Sequence, residues 1–170
     1  FAVMLVASVL TGTLASKLKD HARLSARSAF RTQVLFDTDR LLQKAKSNDD
    51  ILSVTCMQLS RLLDRSIVAY TKSENGMSTG RLFAEKKYTY SENLLNAAEQ
   101  KAAEWAFQNG RRTGATTAQF GKSECLYLAI RAGDRVYGVI GIPMRPEKPD
   151  SFENSIVLSV VNECALAMDN

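Results

Sequence analysis

Few residues in this chain of 170 residues have side chains suited to covalent or acid–base chemistry. The chain contains one histidine, His21, and three cysteines, Cys56, Cys125 and Cys164. The cysteines are too widely spaced for a zinc-binding or disulfide pattern, and one histidine cannot supply a set of metal ligands. Phosphate-binding loops, nucleophile elbows and metalloprotease motifs do not occur. We therefore expect no catalytic residue and no metal site.

The three cysteines instead fall on patterns that are typical of a packed core. Cys56 and Cys164 continue the apolar stripes of two predicted helices, and Cys125 lies in a strand with apolar residues on both faces. Buried cysteines of this kind behave as small apolar side chains. Inert packing is the favoured interpretation, and a redox pair formed in the fold is the alternative.

One cluster of residues has the composition of a ligand pocket. A large aromatic residue at a helix end, two arginines and consecutive threonines could line a small site for an anion or a nucleotide. The candidate ligand-binding residues are Trp105, Arg112, Thr116, Thr117 and Tyr127. The alternative is a surface loop, with Trp105 filling the core.

The positive charge of the chain is concentrated near its start. The net charge is +4, yet residues 1–46 carry eight basic residues against three acidic ones. The remaining residues carry 14 basic and 15 acidic residues. A basic arm raises the question of nucleic-acid binding, but no aromatic interleaving or known module accompanies it, so we expect no nucleic-acid partner.

Residues 1–16 form an uncharged, apolar stretch directly before this basic cluster. As a helix the stretch would be roughly 24 Å long, which is short of a bilayer core of roughly 30 Å. The chain begins at Phe1, so we expect the C-terminal part of a transmembrane helix whose basic flank marks the cytoplasmic side. A signal peptide would carry its charges before the apolar run. A helix buried in a dimer is the alternative.

Residues 17–46 are predicted to form one long helix, because they contain neither glycine nor proline. Its narrow apolar stripe is typical of a signalling helix that pairs with a partner helix. We expect a homodimer whose seam is formed on this helix and on the last helix of the chain. The seam residues are predicted to be Ala26, Phe30, Val34, Leu41, Ile156 and Val160.

Residues 47–170 are predicted to form an α+β domain with a largely antiparallel sheet flanked by its first and last helices. The predicted order is a helix capped by Ser47, two short strands joined at Asn75-Gly76, a helix over 92–108, two longer strands and a last helix. The longer strands, over 124–131 and 135–143, are apolar on both faces, which predicts a sheet covered on both sides. Gly138 and Gly141 indicate that other groups approach the second of these strands closely.

Several segments carry a family likeness. Together they resemble the region between the last membrane helix and the kinase core of KdpD-type potassium-responsive sensor histidine kinases, over essentially the whole chain. The segments are Phe-Ala-Val-Met-Leu at the start, Arg31-Thr-Gln-Val-Leu-Phe-Asp-Thr-Asp-Arg-Leu-Leu42, Ala103-Glu-Trp-Ala-Phe107, Gly114-Ala-Thr-Thr117, Tyr137-Gly-Val-Ile-Gly-Ile142, and, in the last helix, Glu153-Asn-Ser-Ile with the closing Asn-Glu-Cys-Ala-Leu-Ala-Met-Asp-Asn170.

The resemblance implies a GAF-like sensory domain in a homodimeric kinase of the bacterial inner membrane, with this domain on the cytoplasmic side. It implies a potassium or osmotic response, a response-regulator partner, and ATP and Mg²⁺ in a kinase core outside these residues. No cofactor is expected in this chain itself, and His21 does not match the phosphorylated histidine. The domain would relay a signal from the membrane helices towards that core.

Two other functions stay open at this point. Some GAF folds reduce free methionine sulfoxide through clustered cysteines, which would require an exposed and reactive Cys56, Cys125 or Cys164. A structural dimerisation spacer would bind no small molecule at all.

Overall fold

The computed structural model describes residues 2–84, 92–145 and 147–170. The chain divides into two compact units, Phe1–Asp37 and Thr38–Asn170. The first unit consists of helix in its described residues, whereas the second contains the sheet and the remaining helices.

The helix α1 runs without interruption over Ala2–Leu42, so the apolar stretch and the predicted signalling helix are one element. Its 41 residues correspond to roughly 60 Å of helix. The helix ends four residues before the predicted end at Lys46. Thr38 and Leu42, in its last turn, are buried within the second unit.

The sheet of the second unit is antiparallel, as the sequence predicted. Its order is β2-β1-β6-β5-β4, and β3 pairs with β1. The central pair sets Leu128 of β5 opposite Ile140 of β6, and β6 pairs on its other side with β1 through Val68 and Gly141. The strands are β1 (Ile67–Ser73), β2 (Gly76–Met77), β3 (Arg81–Phe83), β4 (Thr113–Gly114), β5 (Cys125–Ala132) and β6 (Arg135–Pro143).

Helices cover the sheet on both faces, which explains why β5 and β6 are apolar on both sides. The helices α2 (Asn48–Leu63) and α4 (Ser151–Asp169) pack against each other and against one face. We call this the α4 face. The helix α3 (Ala97–Asn109) packs against the opposite face, the α3 face, where its alanines meet Val68, Tyr70, Tyr127 and Val139.

The ends of the helices follow local sequence signals. Ser47 caps α2 by accepting a hydrogen bond from the Asp50 backbone N–H (3.1 Å). Asp150 and Glu153 form a capping box at the start of α4, with hydrogen bonds of 2.8 and 2.9 Å between them. At the other end of α4, the Tyr137 hydroxyl donates a hydrogen bond to the Asp169 carboxylate.

The predicted helix over 92–108 is wrong in its start and in its buried face. A 3₁₀ turn occupies Glu92–Leu95, and α3 begins only after the cap Asn96. The helical spacing of Leu95, Ala98, Ala102 and Trp105 predicts that these four residues form its buried stripe. The buried residues of α3 are instead Glu99, Ala102, Ala103 and Ala106.

The short strand β4 is not among the strands predicted from the sequence. Thr113 and Gly114 pair with Tyr127 and Leu126 of β5. Two residues carry no alternation of polar and apolar side chains, so only pairing with β5 defines this strand.

Candidate functional site

The α3 face is held together by a buried carboxylate, Glu99, which is 3% exposed. The Tyr127 hydroxyl donates to it at 2.6 Å, and the backbone N–H groups of Glu124 and Cys125 donate at 2.8 and 3.4 Å. A buried carboxylate is costly unless donors surround it, and these three donors satisfy that need. Glu99 therefore fastens the first turn of α3 to the start of β5.

Two tyrosine rings fill the space around this carboxylate. Tyr70 and Tyr127 meet edge to face, with ring centroids 6.4 Å apart. Burial raises the pKa of Tyr70 to about 12 and raises the pKa of Tyr127 further. Both side chains are therefore neutral phenols at physiological pH. Their rings leave the α3 face packed with side chains.

Gly141 faces this packing, and Gly138, three residues earlier on β6, lies close to the backbone of β1. A Cβ atom on Gly141 would lie 2.6 Å from Cε1 of Tyr127, and one on Gly138 would lie 2.4 Å from the Tyr70 carbonyl oxygen. Both distances are far below a van der Waals contact. The close approach predicted for this strand is confirmed.

The three cysteines are buried, as the helix and strand patterns predicted. Burial raises the pKa of the Cys125 thiol to about 12 and that of Cys164 to about 11, and it raises the pKa of Cys56 well above its ordinary value. A thiol that stays protonated and buried is a poor nucleophile. The arrangement does not favour reductase chemistry at these cysteines.

The five predicted ligand-binding residues do not come together at one place. Tyr127 lies in the core of the α3 face, and Trp105 is half-buried on α3. The Thr117 hydroxyl is used within its own loop, where it donates to the carbonyls of Gly114 (2.8 Å) and Gln119 (2.7 Å). Arg112 and Thr116 line a cleft on the α4 face.

This cleft, which we call the cationic cleft, has a volume of about 290 Å³. It lies between the β4 region, the ends of β5 and β6, and the first two turns of α4. Sequence reasoning missed most of its lining, because these residues come from separate segments. Besides Arg112 and Thr116, the lining comprises Leu126, Leu128, Ile142, Met144, Lys148, Pro149, Asn154, Val157 and Leu158.

A second opening, which we call the junction groove, lies where the last turn of α1 meets the last turns of α4. It has a volume of about 380 Å³, and Asp39, Leu42, Glu163 and Leu166 are among its lining residues. The Glu163 Oε2 atom is buried and accepts no hydrogen bond from any described residue. Burial, and secondarily the Asp39 carboxylate, raise the pKa of Glu163 above its ordinary value.

The predicted dimer seam needs one correction. Ile156 and Val160 are fully buried inside the second unit, so they are core residues and are not available to a partner chain. The large apolar side chains that α4 exposes are Leu158 and Leu166. On α1, Ala26, Phe30 and Leu41 are exposed and Val34 is half-buried.

Within the described residues, α1 is the one helix whose length and apolar character suit a membrane crossing. No side chain of its most apolar window is buried in the chain, unlike the core helix of a globular domain. Two threonine hydroxyls in this window form hydrogen bonds within the helix. The hydroxyls of Thr11 and Thr13 donate to the carbonyls of Ala7 (2.8 Å) and Val9 (3.0 Å).

Nothing in the described residues assembles a metal site, since no group of three histidine, cysteine, aspartate or glutamate side chains comes together there. His21 is exposed on α1.

The arrangement of helices and sheet is that of a GAF domain. The native GAF domain of the potassium sensor histidine kinase KdpD from Escherichia coli superposes with a TM-score of 0.59 at 18% identity, covering 81% of this chain and 92% of that one. The GAF domain of an Acinetobacter phosphoenolpyruvate-protein phosphotransferase gives 0.58 at 13% identity, covering 82% and 93%. The predicted GAF-like α+β fold is confirmed.

The chain is also similar to a particular curated protein, Sensor protein KdpD of Clostridium acetobutylicum. The two are 29% identical over 175 residues, which cover 99% of this chain and 19% of that protein. The chain thus spans about a fifth of its relative. No protein-family model matches it. The resemblance to KdpD-type sensor proteins that the sequence predicted is confirmed.

Proposed function

We propose that this chain is the region of a membrane-bound sensor histidine kinase that relays a signal from the membrane helices to the kinase core. The observation that carries the proposal is the similarity to Sensor protein KdpD along 99% of the chain. The parent kinase responds to potassium or osmotic conditions, uses ATP and Mg²⁺ in its core, and phosphorylates a response regulator. The chain itself performs no catalysis.

The packing of the second unit supports a relay. The last turn of α1 is buried there through Thr38 and Leu42, and the junction groove brings Asp39 and Leu42 next to Glu163 and Leu166 of α4. A shift or rotation of this last turn would therefore press directly on the last turns of α4. The proposed route enters at the end of α1 and leaves along α4.

The location follows from α1. Its apolar first part lies in the inner membrane, and the basic residues from Lys17 onward lie at the cytoplasmic surface. The GAF domain is then on the cytoplasmic side. The uncharged composition of residues 1–16 and their exposure along α1 support this placement.

Dimerisation through α1 completes the proposal. Phe30 is 51% exposed and Leu41 is 38% exposed, and they share one side of the helix with Ala26 and Val34. Burial of such a stripe against a second copy of the helix would remove apolar surface from water.

The seam can be tested with a matched pair of variants, Phe30→Glu and Phe36→Glu. Phe36 is 62% exposed and lies about 120° around the helix from Phe30. Phe30→Glu should weaken dimerisation of the chain in detergent by about tenfold or more, as measured by sedimentation equilibrium. Phe36→Glu should change it little. Equal effects of the two variants, or none from Phe30→Glu, would contradict the seam.

The relay can be tested in the parent kinase reconstituted in lipid vesicles. Leu42→Ala removes a side chain that is only 8% exposed at the junction, whereas Leu24→Ala removes one that is 65% exposed. Leu42→Ala should remove most of the potassium dependence of autophosphorylation, and Leu24→Ala should retain it. If Leu42→Ala kept the full dependence, the signal would not pass through this junction.

A further inference from the structure

The floor of the cationic cleft is aliphatic, and Leu126 is the most exposed of the sheet residues that form it. Leu126 and Leu128 of β5 and Ile142 of β6 form its base, and Val157 of α4 forms a wall. Apolar surface of this kind favours the apolar body of a small molecule.

Two positively charged side chains lie beside this aliphatic floor. Arg112 and Lys148 line the cleft, and neither makes a hydrogen bond or an ion pair with any other residue that the structure describes. The Thr116 hydroxyl and the Asn154 side chain supply further polar groups. Unpaired cations beside an apolar floor are suited to a carboxylate, and the planar guanidinium of Arg112 can bind one through two hydrogen bonds.

The segments that carry these groups are fixed by hydrogen bonds. The loop after Arg112 is closed by bonds from Thr113 Oγ1 (3.0 Å) and the Gly114 backbone N–H (2.8 Å) to the Gln119 carbonyl. The linker before α4 is held by Arg65, whose Nη1 donates to the carbonyls of Pro143 (2.6 Å) and Glu147 (2.8 Å). A cleft on fixed segments loses little conformational entropy when a ligand binds.

The backbone of this loop is also strained at the residue that faces the cleft. Thr116 has a φ of 68°, in the left-handed region that β-branched residues rarely adopt. The surrounding hydrogen bonds hold it there, which places Thr116 at the cleft. Strain maintained in this way occurs preferentially at binding sites.

We propose that the cationic cleft binds a small organic carboxylate with an apolar body, held by Arg112 and Lys148 at its anionic end and by the aliphatic floor along its length. The cleft volume of about 290 Å³ limits the ligand to the size of a small metabolite, and a peptide or a dinucleotide would be too large. The proposal does not depend on the kinase assignment, because it rests on the cleft alone.

Three probes test whether binding requires both the anionic end and the apolar body of the ligand. Binding to the full chain in lipid nanodiscs is measured by equilibrium dialysis. The first is 2-naphthoate, which has both an anionic end and an apolar body. The second is its neutral amide, 2-naphthamide, and the third is inorganic phosphate. We expect saturable binding of 2-naphthoate and binding of the other two weaker by about tenfold or more.

Matched variants locate the binding. Arg112→Gln and Lys148→Gln should each weaken 2-naphthoate binding by about tenfold, whereas Arg111→Gln, an equal change at an exposed residue outside the lining, should leave it unchanged. Leu158→Glu places a negative charge at the rim and should abolish binding. Its control is Leu166→Glu, since the two leucines are 55% and 53% exposed on the same helix and only Leu158 lines this cleft.

Each other outcome overturns the proposal. Equal binding of the amide would mean an apolar cavity without selectivity for anions, and equal binding of phosphate would mean a surface site for oxyanions. Loss of binding in Arg111→Gln or Leu166→Glu to the same extent as in their partners would place the probe elsewhere, including in the lipid. The absence of saturable 2-naphthoate binding would refute the site.

Discussion

The two faces of the sheet are built in opposite ways. On the α3 face, small alanines bring a helix close to two tyrosine rings, and the carboxylate of Glu99 occupies the remaining polar position with three donors. On the α4 face, two helices cover the sheet, and there is an opening near each end of α4: the cationic cleft beside β5 and β6, and the junction groove beside the end of α1 and the start of α2. In the described residues the first face is filled by side chains, whereas the second carries both the cationic cleft and the junction groove.

The difference has a simple physical origin. The alanines of α3 let that helix approach the sheet closely, so that side chains fill the space around Glu99. The cationic cleft and the junction groove lie at opposite ends of α4, with Leu158 lining the first and Leu166 lining the second.

The largest effect is expected from breaking the α3 face at its carboxylate. Glu99→Ala leaves the Tyr127 hydroxyl and two backbone N–H groups without their acceptor, and it opens a cavity. We expect the free energy of unfolding to fall by about 3 kcal/mol, measured by urea denaturation with Trp105 fluorescence. Glu104→Ala, on the exposed side of the same helix, should change it by less than about 0.5 kcal/mol. Similar losses of stability in both variants would show that the contacts of Glu99 contribute no more than those of an exposed side chain.

A smaller loss is expected from adding one methyl group to the same face. In Gly141→Ala the new Cβ would lie 2.6 Å from Cε1 of Tyr127 and 3.2 Å from Cβ of Val68, so one of these groups must move. We expect a loss of about 2 kcal/mol in the same assay.

The matched change on the open face is Ala167→Val, at a residue that lines the junction groove. The groove has room for the added methyl groups. The free energy of unfolding should therefore fall only by the difference in helix propensity between alanine and valine, about 0.5 kcal/mol. If Ala167→Val cost as much as Gly141→Ala, the two faces would be equally tightly packed and the comparison would fail.

The smallest effect concerns the junction groove and depends on pH. Folding raises the pKa of Glu163, mainly because the side chain is buried. Glu163 therefore contributes favourably to stability below the ordinary pKa of glutamate, and this contribution is lost as the pH rises through the raised pKa. Glu163→Gln should therefore be more stable than the wild type at neutral pH, by up to about 0.5 kcal/mol after solvent screening. The difference should vanish in acid.

A second variant separates the two causes of this shift. Asp39→Asn removes the neighbouring charge and leaves the burial of Glu163 unchanged, so it should reproduce only the smaller part of the effect. The measurement is urea denaturation of each variant across the pH range. An effect of Asp39→Asn as large as that of Glu163→Gln would make the charge, rather than burial, the main cause.

Much of the fold was predictable, because its signals are local. The caps at Ser47 and Asp150 are short motifs, and the apolar stripe of α2 contains Leu52 and Leu63, both of which are buried. The close approach at Gly141 followed from a glycine in an otherwise apolar strand. Each of these signals depends on residues within one or two turns or on one strand.

The candidate sites were less predictable, because they depend on tertiary pairing. Glu99 looks like an ordinary polar residue of α3, and the one available signal was the group of alanines at 102, 103 and 106, which marks the side of a helix that lies close to a sheet. Lys148 and Arg112 are 36 residues apart in sequence, and only the packing of α4 against β5 brings both to one cleft. The apolar stripe of α4 that contains Ile156 and Val160 packs into the core of the domain rather than against a partner chain.

The hydrogen bonds at the two ends of α4 have a consequence for how that helix can move. A helix with free ends unwinds progressively, and its terminal amide hydrogens exchange with solvent long before those in the middle. In α4 the capping box between Asp150 and Glu153 satisfies amides of the first turn, and the bond from Tyr137 holds the last turn to β6. The helix should therefore open as one cooperative unit, with similar exchange rates along its length. A perturbation at either end would then shift the helix as a rigid rod instead of being dissipated by fraying.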